Sequence, residues 1–397
     1  MSDIKLIMQY LPIHTITLFT LGTLLFFYIT KNLNFRKAVL ASTGLLFVAL
    51  YGSPFYAIAV FILTTITYFA AKILTKRKSL FVAVFMVFVS IACIIAFKTG
   101  LWKNFSLIQA RIRFLNRPFF NLSTLGISYF TFKYIHVVVD IYRGRFKSIS
   151  YLNFLAYIFF FPTFSAGPID RYPRFSSEFN EIHRLGKEDV DEGIKRIIYG
   201  LFKKFIIADK TYIIISSIAP DFISAPASRK VILIFLYSIH IYYDFSGYSD
   251  IAIGLGRLFG IKVPENFNKP YLKKNIVLFW QNWHMTLTSW LREYVYMPVG
   301  KLLMPKIGSK HPWILNFICQ MVTMSAVGIW HGFSLNYLIW GIYHGLGLSF
   351  YKIYSDLYKK YVPQKAKAAM ASSKLVEWLS IAVTFIFVSV GWVFFYL

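Results

Sequence analysis

Residues 38–71 read Ala38-Val-Leu-Ala-Ser-Thr-Gly-Leu-Leu-Phe-Val-Ala-Leu-Tyr-Gly52-Ser-Pro54-Phe-Tyr-Ala-Ile-Ala-Val-Phe-Ile-Leu-Thr-Thr-Ile-Thr-Tyr-Phe-Ala-Ala71, without one charged side chain. Two apolar runs, 38–52 and 54–71, meet at Gly52-Ser53-Pro54. Basic residues close both outer ends: Lys31, Arg36 and Lys37 before, Lys72, Lys76, Arg77 and Lys78 after. Crossing about 30 Å of hydrocarbon takes about 20 apolar residues. Lipid offers backbone N–H and C=O groups no partner, so such runs must satisfy themselves as helices. The stretch therefore predicts a transmembrane helical hairpin. An excess of Lys and Arg marks cytoplasmic loops, which puts both basic clusters in the cytoplasm and the Gly52–Pro54 tip outside.

Further apolar runs occur at 13–30, 79–97, 118–139, 151–168, 230–245, 312–332, 334–352 and 376–396. Hydrophobic residues make up 57% of the 397-residue chain and charged residues 15%, against about 25% charged in soluble domains. That excludes a disordered chain and an ordinary soluble enzyme. The net charge of +26 would suit a nucleic-acid-binding protein, but 41 Phe and 27 Tyr in long apolar runs exclude a soluble domain of that kind. The expected fold is an all-α polytopic integral membrane protein with about 10–12 membrane helices. No repeat, low-complexity tract or long linker interrupts it, so residues 1–397 are expected to form a single integral membrane domain.

Some stretches depart from simple crossing. Residues 197–219 and 275–300 are apolar yet carry Lys, Asp, Asn, His and Arg, as expected of re-entrant or interfacial segments whose polar groups face protein or water. Residues 98–117 hold Lys98, Lys103, Arg111, Arg113 and Arg117, which a single crossing at 79–97 would leave outside; a re-entrant or surface helix would relieve the conflict. Cys93 and Cys319 lie in apolar runs and can build neither a disulfide framework nor a cysteine zinc site. The first run has no small-residue cleavage site, so it is expected to be a retained span.

Ionisable groups inside apolar segments point to function. His240 and Asp244 stand four apart in His240-Ile-Tyr-Tyr-Asp244, on one face of a helix, and are expected to form a structural polar pair. With no third ligand nearby, no metal site is expected. Residues 279–294 crowd three Trp with Asn282, Trp283, His284, Thr286, Thr288, Arg292 and Glu293. An interfacial helix would explain the aromatics but not Asn282 beside His284. The third site is Gly328-Ile-Trp330-His331-Gly332, deep in the run that starts near Pro312. Its glycines allow close backbone approach or a broken helix. With no acidic neighbour in sequence, His331 is expected to be enclosed and kept neutral by desolvation, the form that acts as a base. His344, in Gly341-Ile-Tyr-His344-Gly345, belongs to a small-xxx-small pattern of helix packing. His14, His136, His183 and His311 are also read as structural.

Six strings carry a family resemblance: Gly126-Ile-Ser-Tyr-Phe-Thr-Phe132, Phe161-Pro-Thr-Phe-Ser-Ala-Gly-Pro-Ile-Asp-Arg-Tyr172, Tyr243-Asp-Phe-Ser-Gly-Tyr-Ser249, Pro264-Glu-Asn-Phe-Asn-Lys-Pro270, Trp283-His284 and Trp330-His331-Gly332. On these the chain resembles the membrane-bound O-acyltransferases, in the bacterial branch of the DltB D-alanyl transferases and the AlgI-type polysaccharide O-acetylases. The resemblance implies a central tunnel where a cytosolic acyl thioester meets an extracytoplasmic hydroxyl. It implies His331 as catalytic base, with His284 and Asn282 orienting the thioester or stabilising developing negative charge, and Trp283 and Trp330 beside them. The 162–172 string favours D-alanyl transfer to a polymer such as teichoic acid, while Ser249–Arg257 and Gly391-Trp-Val-Phe-Phe395 resemble the O-acetylases of exopolysaccharide or peptidoglycan.

No bound cofactor is implied; the donor would be a phosphopantetheine thioester on a small acidic carrier protein, or another acyl thioester. The carrier is expected near Trp290–Gly300, through Arg292, Met297 and Val299. The acceptor would be an extracytoplasmic polymer or a relay protein, and the location a bacterial cytoplasmic membrane. A transporter would also bury His, Asp and Arg, but it would usually show matched repeats with interrupted helices, which this sequence lacks.

Overall fold

The computed structural model describes residues 13–52, 54–99, 126–164, 166–181, 186–218, 224–308 and 310–396. Every regular element among them is helical. In chain order these are α1 Ile13–Tyr28, α2 Leu33–Tyr51, α3 Pro54–Lys76, α4 Leu80–Lys98, α5 Ile127–Tyr142, α6 Tyr151–Ile158, α7 Tyr172–Asn180, α8 Lys187–Leu201, α9 Asp209–Ile218 and α10 Ala227–Leu258. There follow α11 Ile276–Asn282, α12 Met285–Leu291, α13 Met297–Leu303, α14 Pro312–His331, α15 Leu335–Tyr361, α16 Gln364–Ser372, α17 Lys374–Gly391 and α18 Val393–Tyr396.

The hairpin of residues 38–71 is α2 and α3. These helices, α14 and the stretch Lys374–Phe395 are long and apolar enough to cross a membrane; Ile16–Tyr28 and Leu80–Ala96 are shorter apolar helices. The protein is thus an all-α polytopic membrane protein. One run departs from expectation: 151–168 is not a single helix, because α6 stops at Ile158 and a 3-10 turn, Phe161–Thr163, follows. Pro162, Gly167 and Pro168 lie in this stretch, and proline cannot continue the backbone ladder. The end of α6 is buried, and there Lys133, itself buried, donates from Nζ to the Tyr157 carbonyl oxygen at 2.8 Å. Most of the 98–117 segment lies outside the described residues.

The two polar-studded stretches are helical but irregular. Residues 197–219 contain a π-helical segment, Phe202–Ala208, between α8 and α9; residues 275–300 contain another, Arg292–Tyr296, between α12 and α13. Such widened turns often occur at functional positions.

Arg36 and Lys37 correct the reading of the first basic cluster. They lie within α2 and are buried. Arg36 donates from Nε to the Thr30 carbonyl oxygen at 2.9 Å and covers the rings of Phe27 and Tyr28. Lys37 Nζ donates to Asn180 Oδ1 at 3.0 Å. Of that cluster, Lys31 alone is exposed.

The chain divides into two compact units. Met1–Ile198 with Ser249–Pro264 has an aromatic core that includes the buried Phe130, Phe154, Tyr157, Phe160 and Phe175. There the 161–172 string ends in a polar lock: the Tyr172 N–H donates to His136 Nε2 at 3.0 Å, and His136 Nδ1 pairs with Asp140 at 3.0 Å. Arg196–Asp250 at 3.2 Å and Arg257–Asp189 at 3.1 Å tie the last turns of α10 to α8. The other unit, Tyr199–Tyr248 with Glu265–Leu397, holds the two Trp-His sites.

Candidate active site

His284 stands at a break between two short helices. α11 starts at Asn275, whose side chain accepts from the Leu278 N–H at 2.9 Å. After Asn282 the backbone turns extended at Trp283, then left-handed at His284, with φ 43°. A non-glycine residue held there costs about 1–3 kcal/mol and persists only where the surroundings impose it. The Pro264–Pro270 string imposes it. The Asn268 N–H donates to the Asn282 carbonyl oxygen at 3.1 Å, and the Met285 N–H to the Asn266 carbonyl oxygen at 2.9 Å. Buried Asn266 Oδ1 also accepts from Thr286 Oγ1 at 2.6 Å.

These bonds bracket His284 and fix its ring. The imidazole is 4% exposed, lies edge-on to Phe245 at 4.7 Å, and its Nε2 has no hydrogen-bond partner among the described residues. Asn282 is used locally: its Nδ2 donates to the Leu278 carbonyl oxygen at 2.8 Å, so its backbone carbonyl, not its amide, joins the bracket.

His331 is the last residue of α14. The α14–α15 hairpin closes tightly because a Cβ on Gly328 would strike the Tyr337 carbonyl and one on Gly341 the Met324 carbonyl. The expectation of an enclosed histidine is corrected here: His331 and Trp330 are half-buried, next to exposed Phe333 and Leu335. The helix ends at Gly332, which leaves the imidazole at a rim. Its ring meets Trp330 at 4.6 Å, Phe395 at 4.8 Å and, edge to face, Trp340 at 5.2 Å.

One aromatic cluster joins the two Trp-His sites. Trp283 packs on Trp392 at 5.0 Å, Trp392 stacks on Trp340 at 6.0 Å, and Trp340 touches His331. Trp280, Trp340, His344, Trp392 and Phe395 belong to this cluster although the sequence reading singled out none of them for it. His344, read as a packing residue, is 0% exposed and lies 4.9 Å from Trp340 and 5.3 Å from Trp280. The signal in sequence was histidine inside apolar runs, beside Trp at 283–284 and 330–331 and again at 344; Trp340, Trp392 and Phe395 carry no such contrast.

His240 and Asp244 lie on α10 with partners on a neighbouring segment. His240 Nδ1 donates to the Ala208 carbonyl oxygen at 3.0 Å. Asp244 pairs with buried Lys204, which also holds Asp209 at 3.1 Å. Lys204, on the π-helical segment, went unnoticed among the cations of 197–219. The expected docking stretch runs through Arg292–Tyr296 into α13. Arg292 and Met297 are exposed and Val299 is half-buried. Tyr296 Oη donates to Asn316 Oδ1 at 2.9 Å, which fastens this stretch to α14.

The cluster joins three histidines, His284, His331 and His344, and a set of indoles in an apolar setting, with His331 at its rim; such an arrangement can hold an acyl carbonyl and move a proton. Comparison with known proteins agrees with that chemistry. The chain is 36% identical over 281 residues to the teichoic acid D-alanyltransferase of Bacillus subtilis, 69% of each chain. It is 34% identical over 279 residues to the probable alginate O-acetylase AlgI of Pseudomonas aeruginosa, 69% of this chain and 49% of that one. It is 32% identical over 304 residues to the peptidoglycan O-acetyltransferase of Helicobacter pylori, 68% of this chain and 53% of that one. The chain thus spans about half the length of the O-acetylases it matches. The family model described as MBOAT, membrane-bound O-acyltransferase family, matches residues 58–391, and the chain is accordingly a multi-pass membrane enzyme of the membrane-bound O-acyltransferase family.

Proposed function

We propose that this enzyme moves a D-alanyl group from a carrier-bound thioester to a hydroxyl of an extracytoplasmic envelope polymer such as teichoic acid, in a bacterial cytoplasmic membrane. The observation that carries the reading is the 36% identity to the teichoic acid D-alanyltransferase through 69% of both chains. In the reaction, the acceptor oxygen attacks the thioester carbonyl carbon while His331 takes the hydroxyl proton. The tetrahedral intermediate then expels the thiolate, which takes from His331 the proton of the acceptor hydroxyl and leaves as thiol. A half-buried His331 suits a base that must meet a polymer hydroxyl, with Trp330, Trp340 and Phe395 against its ring. His284 and Trp283 hold the thioester side of the site, and Asn282 braces them through its backbone carbonyl, which accepts from the Asn268 N–H. The chain itself holds no cofactor in this reading; the donor's phosphopantetheine arm belongs to the carrier.

The second reading is O-acetyl transfer to an exopolysaccharide or peptidoglycan, carried by the 34% and 32% identities to the O-acetylases. Product analysis separates the two. Expressed in a bacterium whose own D-alanyltransferase has been deleted, the chain is expected to restore alkali-labile D-alanine on teichoic acid. Unchanged D-alanine with new polymer-bound acetate would replace D-alanyl by acetyl transfer.

A small acidic carrier is the partner we assign to the edge formed by exposed Arg292 and Met297 and half-buried Val299, since a cationic, methionine-bearing surface adapts to such a partner. Met297→Glu and Val299→Glu are expected to weaken carrier pull-down and acylation together at normal membrane levels, because a like charge facing an acidic partner is unfavourable. Well-expressed variants that still capture the carrier would remove this docking surface and leave an interfacial, lipid-facing helix.

A further inference from the structure

Inside the second unit, Trp280, Trp340 and His344 touch one another, with ring centroids 5.8, 4.9 and 5.3 Å apart. All three are at least nine-tenths buried. None of their polar ring atoms, the two indole Nε1 and both imidazole nitrogens, has a hydrogen-bond partner among the described residues. Trp392, in the same cluster, is different: its Nε1 donates to Tyr271 Oη at 3.1 Å. Buried donors are almost always satisfied, so three adjacent exceptions beside the ring of His331 call for a ligand.

The chemistry of that ligand follows from the donors. An indole N–H can only donate, so the missing partner must accept. On His344, the Nε2 edge is closed by backbone, since a Cβ on Gly391 would lie 2.7 Å from it. That leaves Nδ1 to supply a third N–H. An acceptor met by several fixed donors in an apolar, water-poor setting is the situation of an acyl carbonyl oxygen as it gains negative charge.

We propose that Trp280, Trp340 and His344 form the oxyanion site of the acyl transfer, receiving the carbonyl oxygen of the donor while His331 handles the proton. This rests on the acyl-transfer reading above. As the acceptor's C–O bond forms, the carbonyl π electrons move onto that oxygen and the three N–H groups hold it. When the oxygen re-forms its double bond, the C–S bond breaks, and the thiolate leaves with the proton that His331 took from the hydroxyl.

The test uses the full chain in lipid vesicles with teichoic acid, following thiol release from the D-alanyl and acetyl thioesters of phosphopantetheine. Trp340→Phe keeps most of the ring and removes the N–H. It is expected to lower kcat by about a hundredfold or more, with KM and melting temperature little changed; Trp280→Phe should act in the same direction. Trp392→Phe, which loses a bond already made within the protein, is expected to lower the melting temperature, with any loss of kcat only in step with it. If a Phe variant fails to fold, the isosteric 3-benzothienylalanine at the same position removes the N–H alone. Retention of kcat in both Trp280 and Trp340 variants, or a kcat loss only in step with melting temperature as for Trp392, would overturn the proposal. If His331→Ala also keeps full activity, it is the acyl-transfer reading of this site that has failed.

Discussion

His331→Ala is expected to abolish acyl transfer while the protein still inserts and folds. Removal of a general base costs about a hundredfold or more in rate, and a methyl group cannot take a proton. The stability cost should be small by comparison, because the ring is half-buried at the last turn of α14 and partly exposed positions tolerate truncation better than core ones. A strain carrying His331→Ala at wild-type membrane levels should therefore lose its polymer-bound acyl esters, and near-normal acylation would sink the assignment of the base. His284→Ala should impair transfer less, since orientation is its role in this reading. A loss equal to or larger than that of His331→Ala would mean that the two histidines have exchanged roles. Burial makes this comparison sharp: His284 is enclosed at 4% exposure, where a base could serve only a substrate that reaches inside, whereas His331 sits at a rim.

The sequence made the membrane class legible because hydrocarbon thickness sets a length and lipid sets the backbone geometry. The charge-free stretch 38–71 became α2 and α3, whose inner ends at Tyr51 and Pro54 match the composition while the outer ends, Leu33 and Lys76, run on into the flanking basic residues. Run 151–168 was not legible as a broken element, because hydropathy counts apolar side chains and is blind to where Lys133 caps a helix end. Arg36 and Lys37 were likewise misread as loop cations: their stems and charges pack on Phe27, Tyr28 and Phe179, a use of cations that a charge count cannot show. At the candidate site, the two Trp-His pairs could be picked out because polar residues stand out in apolar runs. Trp340, Trp392 and Phe395 could not, since apolar residues in apolar runs carry no contrast. Their role beside His331 depends on how close α14 and α15 come at Gly328 and Gly341. The left-handed turn at His284 was also hidden, for it is imposed by Asn266 and Asn268, distant in sequence.

Lys204→Met is expected to be strongly destabilising, and Lys204→Met with Asp244→Leu much less so. In the native protein Lys204 is 4% and Asp244 6% exposed, and they form an ion pair, with the more accessible Asp209 as a second partner of the lysine. Removing the lysine leaves the carboxylate of Asp244 buried without its cation, which costs about 3–5 kcal/mol in comparable buried pairs. Replacing both partners by apolar groups of similar volume removes two desolvation penalties along with one attraction and is often close to neutral. Asp244→Leu alone should fall between, because Lys204 keeps Asp209. Melting of the purified protein in detergent, with intact folding judged by a single sharp transition, gives the order: wild type and double variant near one another, Lys204→Met several degrees lower. Activity should follow the same order. Phe245, the next residue on α10, lies edge-on to the His284 ring, so an α10 loosened by an unpaired Asp244 displaces the wall that fixes that imidazole. A double variant that melts no higher than Lys204→Met would show that the pair is not what holds α10, and a Lys204→Met protein as stable as wild type would mean that Asp244 finds another cation.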